Sequence, residues 1–239
     1  MMRRRLLAAG LTVALAGCGA TGTRPRSTTS GGFRPENLAK ADLDWVIEVH
    51  HRELFAGLRR LSEKLYRRNP REWRKAGLAS AEWAIARLWQ ERGDWRFEEL
   101  GGRTDAAALA AAFDEGYTGD RVLALVVGLA SMVQNAFENK TEFFAADDLD
   151  PQKLYDSARN VEILAWRLAN RRDGRGAPLL LSNETGPVPN LSFEREFGRV
   201  IGSLDLLAVV LAAKQQRVIN KVIQNVGTAL FLPVSGMPR

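Results

Sequence analysis

Two adjacent histidines, His50 and His51, are the only imidazoles in the chain and the first candidates for catalysis or metal binding. Glu48 lies three residues before His51, so both side chains share one face of a helix formed here. A Glu-x-x-His pair of this kind supplies half of a di-metal site in helical bundles, and the other half needs a second such pair. Because there is no third histidine, we predict a partly exposed histidine pair at a helix edge, with no metal and no cofactor.

Three polar residues lie within apolar helical segments, Asn160, Glu162 and Asp205, and the two carboxylates among them are the remaining candidates for acid–base chemistry. Buried carboxylates can act as acids or bases, but they are also commonly paired with arginine to hold helices in register. The arginines available for such pairing are Arg159, Arg167 and Arg199. The sequence contains no Gly-x-Ser-x-Gly elbow and no phosphate-binding Gly-Lys-Ser or Gly-Lys-Thr loop. We therefore predict a protein that is not an enzyme, with no catalytic residues. The alternative is a hydrolase or transferase that acts on lipid or cell wall through carboxylates.

Positive charge is concentrated in residues 58–75, LRRLSEKLYRRNPREWRK, where eight basic residues face two acids. Arginine makes forked hydrogen bonds to phosphate and carboxylate groups, so clustered guanidinium groups can hold an anionic partner. We predict an anion-binding surface where one helix ends and the next begins. Its four arginines are Arg67, Arg68, Arg71 and Arg74. Internal charge balance is the alternative, because the acidic segments 91–120 and 138–150 can pair with these cations.

The C-terminal stretch is a second candidate surface, because it carries no acid from Leu206 onward. We predict one helix from Ser192 to about Leu232, where Pro233 ends it. Its apolar stripe would consist of Val218, Ile219, Val222, Ile223 and Val226. A basic amphipathic helix can rest in a membrane interface, or it can pack in the core with its cations at its negative end. The sequence leaves both alternatives open.

The single cysteine, Cys18, follows a basic start and twelve uncharged residues, Leu6 to Gly17. This pattern is typical of a secretory signal peptide over residues 1–17, and it is too short to span a bilayer. The segment ends in Leu15-Ala16-Gly17-Cys18, which resembles the lipobox of bacterial lipoproteins. The resemblance covers the first eighteen residues. It implies cleavage before Cys18, a lipid on its sulfur and acylation of its freed amino group.

The resemblance also implies a location. In lipoproteins of Gram-negative bacteria, a residue other than Asp after the cysteine usually directs the protein to the outer membrane, and Gly19 fits that pattern. We expect a protein anchored there by acyl chains, palmitate among them, and facing the periplasm. Stable anchoring takes two or more chains, because each buried methylene contributes only about 0.8 kcal/mol. Residues 18–34, rich in Gly, Ser, Thr and Pro, predict a flexible tether after the lipidated cysteine.

The high basic content does not indicate nucleic-acid binding. Six of the 34 Lys and Arg residues precede residue 35, so the others balance the 28 acids. We therefore expect no nucleic-acid partner. The expected partners are the membrane, reached through the N-terminal lipid anchor, and an envelope protein or an anionic glycan or lipid.

Residues 35–239 predict a single all-α domain, a bundle of about six or seven helices. Apolar residues spaced by three and four indicate a helix over about 37–68, and no useful period-two alternation indicates a strand. Asn69 would cap the next helix, with Glu72 at its capping-box position. The later helices would begin after Ser80, Thr104, Asp120 and Asp150, and the helix after Thr104 would end near Gly116. The sequence thus predicts a lipid-anchored envelope protein, a non-catalytic helical adaptor or scaffold.

Overall fold

The part of the chain that the computed structural model describes contains seven α-helices, one short 3-10 turn and two isolated β-bridges. This part contains no strand. The described residues are 42–90, 93–144, 147–184, 186–221 and 225–234. The helices are α1 (Asp42–Arg68), α2 (Pro70–Lys75), α3 (Ala81–Gln90), α4 (Asp105–Ala112), α5 (Arg121–Ala136), α6 (Pro151–Asn170) and α7 (Ser192–Gln215). The predicted all-α bundle is confirmed. The predicted signal peptide over 1–17, the lipidation site Cys18 and the tether over 18–34 lie outside the described residues.

Helix α5 forms the centre of the core, and all but two of its 16 residues are buried. It begins directly after Asp120, as the sequence predicted, and the Asp120 carboxylate accepts hydrogen bonds from the amides of Val122 and Leu123. Helix α4 crosses it so closely that a Cβ at Gly128 would lie 2.7 Å from Cγ of Leu109 and 2.8 Å from its amide nitrogen. Glycine at this position therefore permits the contact between the two helices. No helix within the described ranges is long and apolar enough to cross a membrane.

Helices α1 and α7 pack against each other in antiparallel order. Lys64 near the end of α1 donates to the carbonyl oxygen of Ser192, the first residue of α7, at 2.7 Å. Nearer the start of α1, His50 Nδ1 lies 2.9 Å from the hydroxyl oxygen of Ser203. The two helices therefore run in opposite directions. The apolar face of α1 is buried against the core.

Asn69 separates α1 from α2, but its side chain does not cap α2. Its amide instead donates to the carbonyl oxygens of Leu65 and Leu181 at 2.9 Å and accepts from the Leu181 amide at 2.7 Å. The prediction of a capping asparagine was wrong, because a distant loop offers Asn69 both a donor and an acceptor. The buried Asn69 holds the segment around Leu181 against the junction of α1 and α2.

Helix α7 ends at Gln215, so the predicted continuation to Leu232 is wrong. Gln216 has a left-handed backbone with φ of 54°, and the amide of Arg217 bonds back to the carbonyl oxygen of Ala212 at 3.0 Å. This arrangement is a Schellman motif, which terminates a helix. The predicted apolar stripe begins only after this end. Val218 is 88% exposed and Ile219 packs against the core, whereas Val222 and Ile223 lie outside the described residues.

The chain beyond α7 contacts α6. The buried amide of Asn160 accepts from the Leu232 amide at 2.6 Å and donates to the Leu232 carbonyl oxygen at 2.8 Å. Arg167 donates to the carbonyl oxygen of Ala229, and its guanidinium lies 4.3 Å from the ring centroid of Phe231. These contacts attach residues 229–232 to the surface of α6. Asn160, a polar residue that the sequence places in an apolar helical segment, therefore has a structural role in this pairing.

Candidate functional site

Glu72 binds the side chains of two basic residues of α2, Arg71 and Lys75. Its side chain is fully buried and accepts three hydrogen bonds: from Nε of Arg71 at 2.9 Å, from Nζ of Lys75 at 2.8 Å and from the amide of Arg121 at 2.9 Å. The sequence placed Glu72 at a capping-box position, but its carboxylate instead accepts hydrogen bonds from the side chains of Arg71 and Lys75. A buried carboxylate with three donors is well compensated for its loss of water.

A cleft of about 360 Å³ is lined by these cations and by the turn after α6. Four cations, Arg71, Lys75, Arg121 and Arg175, line it together with two acids, Glu115 and Asp173. We call this the cationic cleft. The excess of basic side chains favours an anionic ligand, and the cleft falls within the size range of small-ligand sites, roughly 300–1,000 Å³.

Arg121 is a structural member of the cationic cleft. Its guanidinium donates to the carbonyl oxygens of Ala112, Asp114 and Tyr117 at 2.9, 2.6 and 2.9 Å, and more weakly to that of Glu115 at 3.4 Å. These carbonyl groups belong to the last residue of α4 and to the segment that follows it. Helix α4 ends at Ala112, and the predicted end near Gly116 is wrong. Because its donors are occupied by backbone oxygens, Arg121 contributes charge to the cleft but few free hydrogen bonds.

Arg175 lies on a tight turn shaped by Asp173. The Asp173 carboxylate accepts from the amides of Arg175 and Ala177 at 3.0 and 2.9 Å, and Gly176 supplies a left-handed φ of 79°. The pKa of Asp173 is lowered, chiefly by the hydrogen bond from the Ala177 amide. The nearby positive charges of Arg175 and Arg71 lower this pKa further. The Arg175 side chain is 92% exposed and lies 3.8 Å from Asp173. Its guanidinium is thus accessible to a ligand from solution.

The four arginines predicted as an anion-binding surface have different surroundings. Arg71 lines the cationic cleft and donates to the carbonyl oxygen of Leu179 as well as to Glu72. Arg68 pairs with Glu184, and the guanidinium of Arg74 lies 4.9 Å from the ring centroid of Trp73. Arg67 is exposed. Of the four, only Arg71 lines the cleft.

Sequence reasoning did not select the other cations of the cleft. Lys75 belongs to the basic segment 58–75, but its contact with Glu72 follows only from the fold. Arg175 comes from a segment about a hundred residues away. The one available signal was the turn sequence Asp173-Gly174-Arg175-Gly176, which places a basic side chain on a tight turn after a helix.

Glu48 and His51 do not converge on a metal site. Glu48 accepts from the amide of Phe143 at 3.1 Å, and the His51 ring centroid lies 4.6 Å from that of Phe55 and 5.0 Å from that of Phe137. Within the described ranges, no group of three or more His, Cys, Asp or Glu side chains could hold a metal ion. His51 thus belongs to an aromatic cluster.

The candidate carboxylates Glu162 and Asp205 share one arginine. Arg159 lies 3.2 Å from Glu162 and 2.6 Å from Asp205, and it connects α6 to α7. Burial raises the pKa of Glu162, while the positive charge of Arg159 lowers it. Neither carboxylate lines the cationic cleft. The two carboxylates therefore form structural ion pairs with an arginine, which was one of the two alternatives that the sequence left open.

Comparison with known proteins does not extend this description. No family model, no curated protein and no solved structure matches the chain. Function is therefore inferred from the contacts, charges and cavities of the chain itself.

Proposed function

We propose that this protein is a lipid-anchored, non-catalytic binding module of the cell envelope, which holds an anionic group in the cationic cleft. The anchor is the lipid expected on Cys18, on a protein at the outer membrane that faces the periplasm, with residues 18–34 as its tether. The observation that carries the proposal is the buried Glu72, which holds Arg71 and Lys75 in fixed positions beside the exposed Arg175.

Free donors remain in the cationic cleft after all internal contacts are counted. A guanidinium group has five N–H donors, and the contacts of Arg71 to Glu72 and Leu179 leave three of them available. Lys75 uses donors on Glu72 and on the Gly119 carbonyl oxygen, the latter at 3.2 Å. Among the described residues, the Arg175 side chain makes only a long contact to Asp173. Forked donors held in place suit the oxygens of a phosphate or carboxylate group.

Fixed cations also lower the cost of binding. A free arginine loses rotamer entropy when it binds a ligand, roughly 0.5–1.5 kcal/mol for each immobilised long side chain. The Glu72 contacts have already ordered Arg71 and Lys75 in the folded protein. Glu72 offsets part of the positive charge, so the expected affinity for a single anionic group is moderate and sensitive to salt.

The alternative, a hydrolase or transferase acting on lipid or cell wall through carboxylates, has no observation in its favour. Glu162 and Asp205 both pair with Arg159, and this pairing gives them a role in helix packing. A binding role for the cationic cleft needs no acid or base at the site.

Charge reversal at Arg175 tests the proposal without disturbing the buried Glu72. We expect Arg175→Glu to reduce binding about tenfold or more, because it places an acid at the mouth of the cleft. Arg96→Glu is the matched control. Arg96 is also an exposed arginine that lies 3.8 Å from an aspartate two residues earlier, Asp94, but it lies outside the cationic cleft.

Two ligand preparations distinguish the sources of the anionic group. Isolated peptidoglycan sacculi offer carboxylates and are tested by co-sedimentation with the detergent-solubilised full chain. Short-chain phosphatidylglycerol offers a phosphate and is tested by calorimetry, with short-chain phosphatidylcholine as the electrically neutral control. We expect one preparation to bind, and to bind less well as NaCl rises from about 50 to about 300 mM. Binding in neither arm, or an equal loss in Arg175→Glu and Arg96→Glu, would overturn the proposal.

A further inference from the structure

A second cleft, of about 490 Å³, is bounded by α1, the end of α3, the segment around residue 95 and the region after α5. Its aromatic wall consists of His51, Phe55, Trp89 and Trp95. We call it the aromatic cleft. It shares no lining residue with the cationic cleft, and the proposed function does not use it.

One face of α1 forms a side of the aromatic cleft. Arg52, Phe55, Ala56 and Arg59 all line the cleft, and their spacing of three, four and seven residues places them on one side of a helix. The two guanidinium groups lie at the ends of this row, with an aromatic ring and a small residue between them. Ala56 leaves room that a larger side chain would fill.

The aromatic wall is rigid because its rings support one another. The rings of Phe55 and Trp95 stack with centroids 6.2 Å apart and an interplanar angle of 23°. Trp89 meets Trp95 edge to face at 5.6 Å, and its indole nitrogen donates to the hydroxyl oxygen of Ser62 at 3.0 Å. Offset-stacked and edge-to-face pairs of this kind are the favoured arrangements of aromatic rings.

The charge at the aromatic cleft is positive. Among the described residues that line it there is no Asp or Glu. Arg52 forms no ion pair with any described residue, and Arg59 lies 3.6 Å from Glu63 with more than half of its side chain exposed. A pair this exposed contributes little, about 0–1 kcal/mol. Both guanidinium groups are therefore available to an anionic ligand.

One residue of the aromatic cleft has a strained backbone. Trp95 has φ of 59°, in the left-handed region that bulky residues rarely adopt. The buried indole nitrogen of Trp95 has no hydrogen-bond partner among the described residues, at a cost of about 1–3 kcal/mol. Such strain is concentrated at ligand-binding sites, where surrounding contacts maintain it.

We propose that the aromatic cleft binds a small organic anion that has a flat apolar body, an aromatic carboxylate in its simplest form. The apolar body lies against the aromatic wall, and the anionic group lies between Arg52 and Arg59. The volume suits a single small molecule, since ligand pockets enclose roughly 300–1,000 Å³. This site is independent of the lipid anchor and of the cationic cleft.

The test uses 1-naphthoate as the probe and 1-naphthylmethanol as its uncharged counterpart. Both are titrated into the purified ¹⁵N-labelled full chain while the indole N–H signals of its six tryptophans are followed by NMR. Trp→Phe variants assign the signals. We expect saturable shifts of the Trp89 and Trp95 signals with 1-naphthoate. Trp83, which is on the same helix as Trp89 but is 66% exposed, is the internal control and should not shift.

Substitutions separate the roles of charge and cavity. Arg52→Gln with Arg59→Gln should weaken 1-naphthoate at least tenfold and leave 1-naphthylmethanol within about twofold. Arg67→Gln, the same type of substitution elsewhere on α1, should alter neither. Ala56→Phe should abolish both while the chain keeps the helical circular-dichroism spectrum of the wild type. Unsaturable shifts, equal shifts at Trp83, or unchanged 1-naphthoate affinity in the double variant would overturn the proposal.

Discussion

Asp120 is the group through which we expect pH to control stability. Its side chain is 3% exposed, accepts two amide hydrogen bonds at 2.9 Å as the cap of α5, and accepts a third from the Tyr66 hydroxyl at 3.0 Å. Burial is the largest influence and raises the pKa of Asp120 to about 6. The hydrogen bonds lower this pKa, and the negative charge of Glu72 raises it.

The sign of the effect follows from proton linkage. The pKa of Asp120 lies near 6 in the folded protein, and that of an unfolded Asp lies at about 3.9. The folded state therefore binds the proton more tightly between about pH 4 and pH 6, and Asp120 reduces stability as pH rises through this window. A shift of about two pKa units corresponds to about 3 kcal/mol, fully developed above about pH 7.

Other carboxylates titrate in the same range, so the assay compares the wild-type chain with Asp120→Asn. Asn keeps an oxygen that can cap α5 and carries no charge at any pH. Urea unfolding followed by circular dichroism at pH 4 to 7 gives each free energy of unfolding. We expect the wild-type chain to lose about 3 kcal/mol relative to Asp120→Asn over this range. Asp150→Asn, at the partly exposed cap of α6, is the matched control for charge loss at a cap.

The opposite slope would refute this reasoning. Three hydrogen bonds and the positive end of α5 both favour the ionised carboxylate of Asp120. If these influences outweigh burial, the wild-type chain will gain stability over Asp120→Asn as pH rises. The sign of one measured difference thus decides between burial and hydrogen bonding as the dominant influence on this buried cap.

Three further outcomes are expected. Cys18→Ser should abolish incorporation of radiolabelled fatty acid and cleavage by the lipoprotein pathway; label that persists in this variant would exclude the lipobox. Gly128→Ala should lower the free energy of unfolding by about 1–3 kcal/mol in urea, despite alanine's better helix propensity, because its Cβ would meet the Leu109 backbone; unchanged stability would contradict this contact. Asn160→Ala should cost about 1–3 kcal/mol and speed proteolysis near Leu232, and an unchanged cleavage rate would show that the pairing does not hold the C-terminal segment.

Helix positions were predictable wherever burial and local signals agree. Helix α1 follows a regular apolar pattern, and both α5 and α6 begin directly after an aspartate, as predicted. These signals act within one or two turns of the chain, so the sequence alone carries them. Residues 122–133 of α5 carry no charge and are too few to span a bilayer, a pattern that indicates a buried helix.

The end of α7 was not predictable, because the apolar pattern continues beyond it. Val218 and Ile219 extend the helical spacing, yet the helix stops at Gln215. The segment that follows contacts α6, where the side-chain amide of Gln152 pairs with the backbone of Asn220. Tertiary hydrogen bonds of this kind override a pattern that favours helix. The cap at Asn69 failed for the same reason, since its partner is 112 residues away.

The helices follow from local sequence signals, whereas the candidate sites depend on contacts that only the fold creates. A basic segment identifies side chains that can bind anions, but the fold determines which donors are already occupied. Glu72, one of two acids in the segment 58–75, becomes the buried counter-ion that positions Arg71 and Lys75. The row Arg52, Phe55, Ala56 and Arg59 was readable as one helix face, but its partners on α3 and near residue 95 were not. Anion binding in this protein is therefore best sought where the described residues leave guanidinium groups with few or no close internal acceptors, at Arg175 in one cleft and at Arg52 in the other.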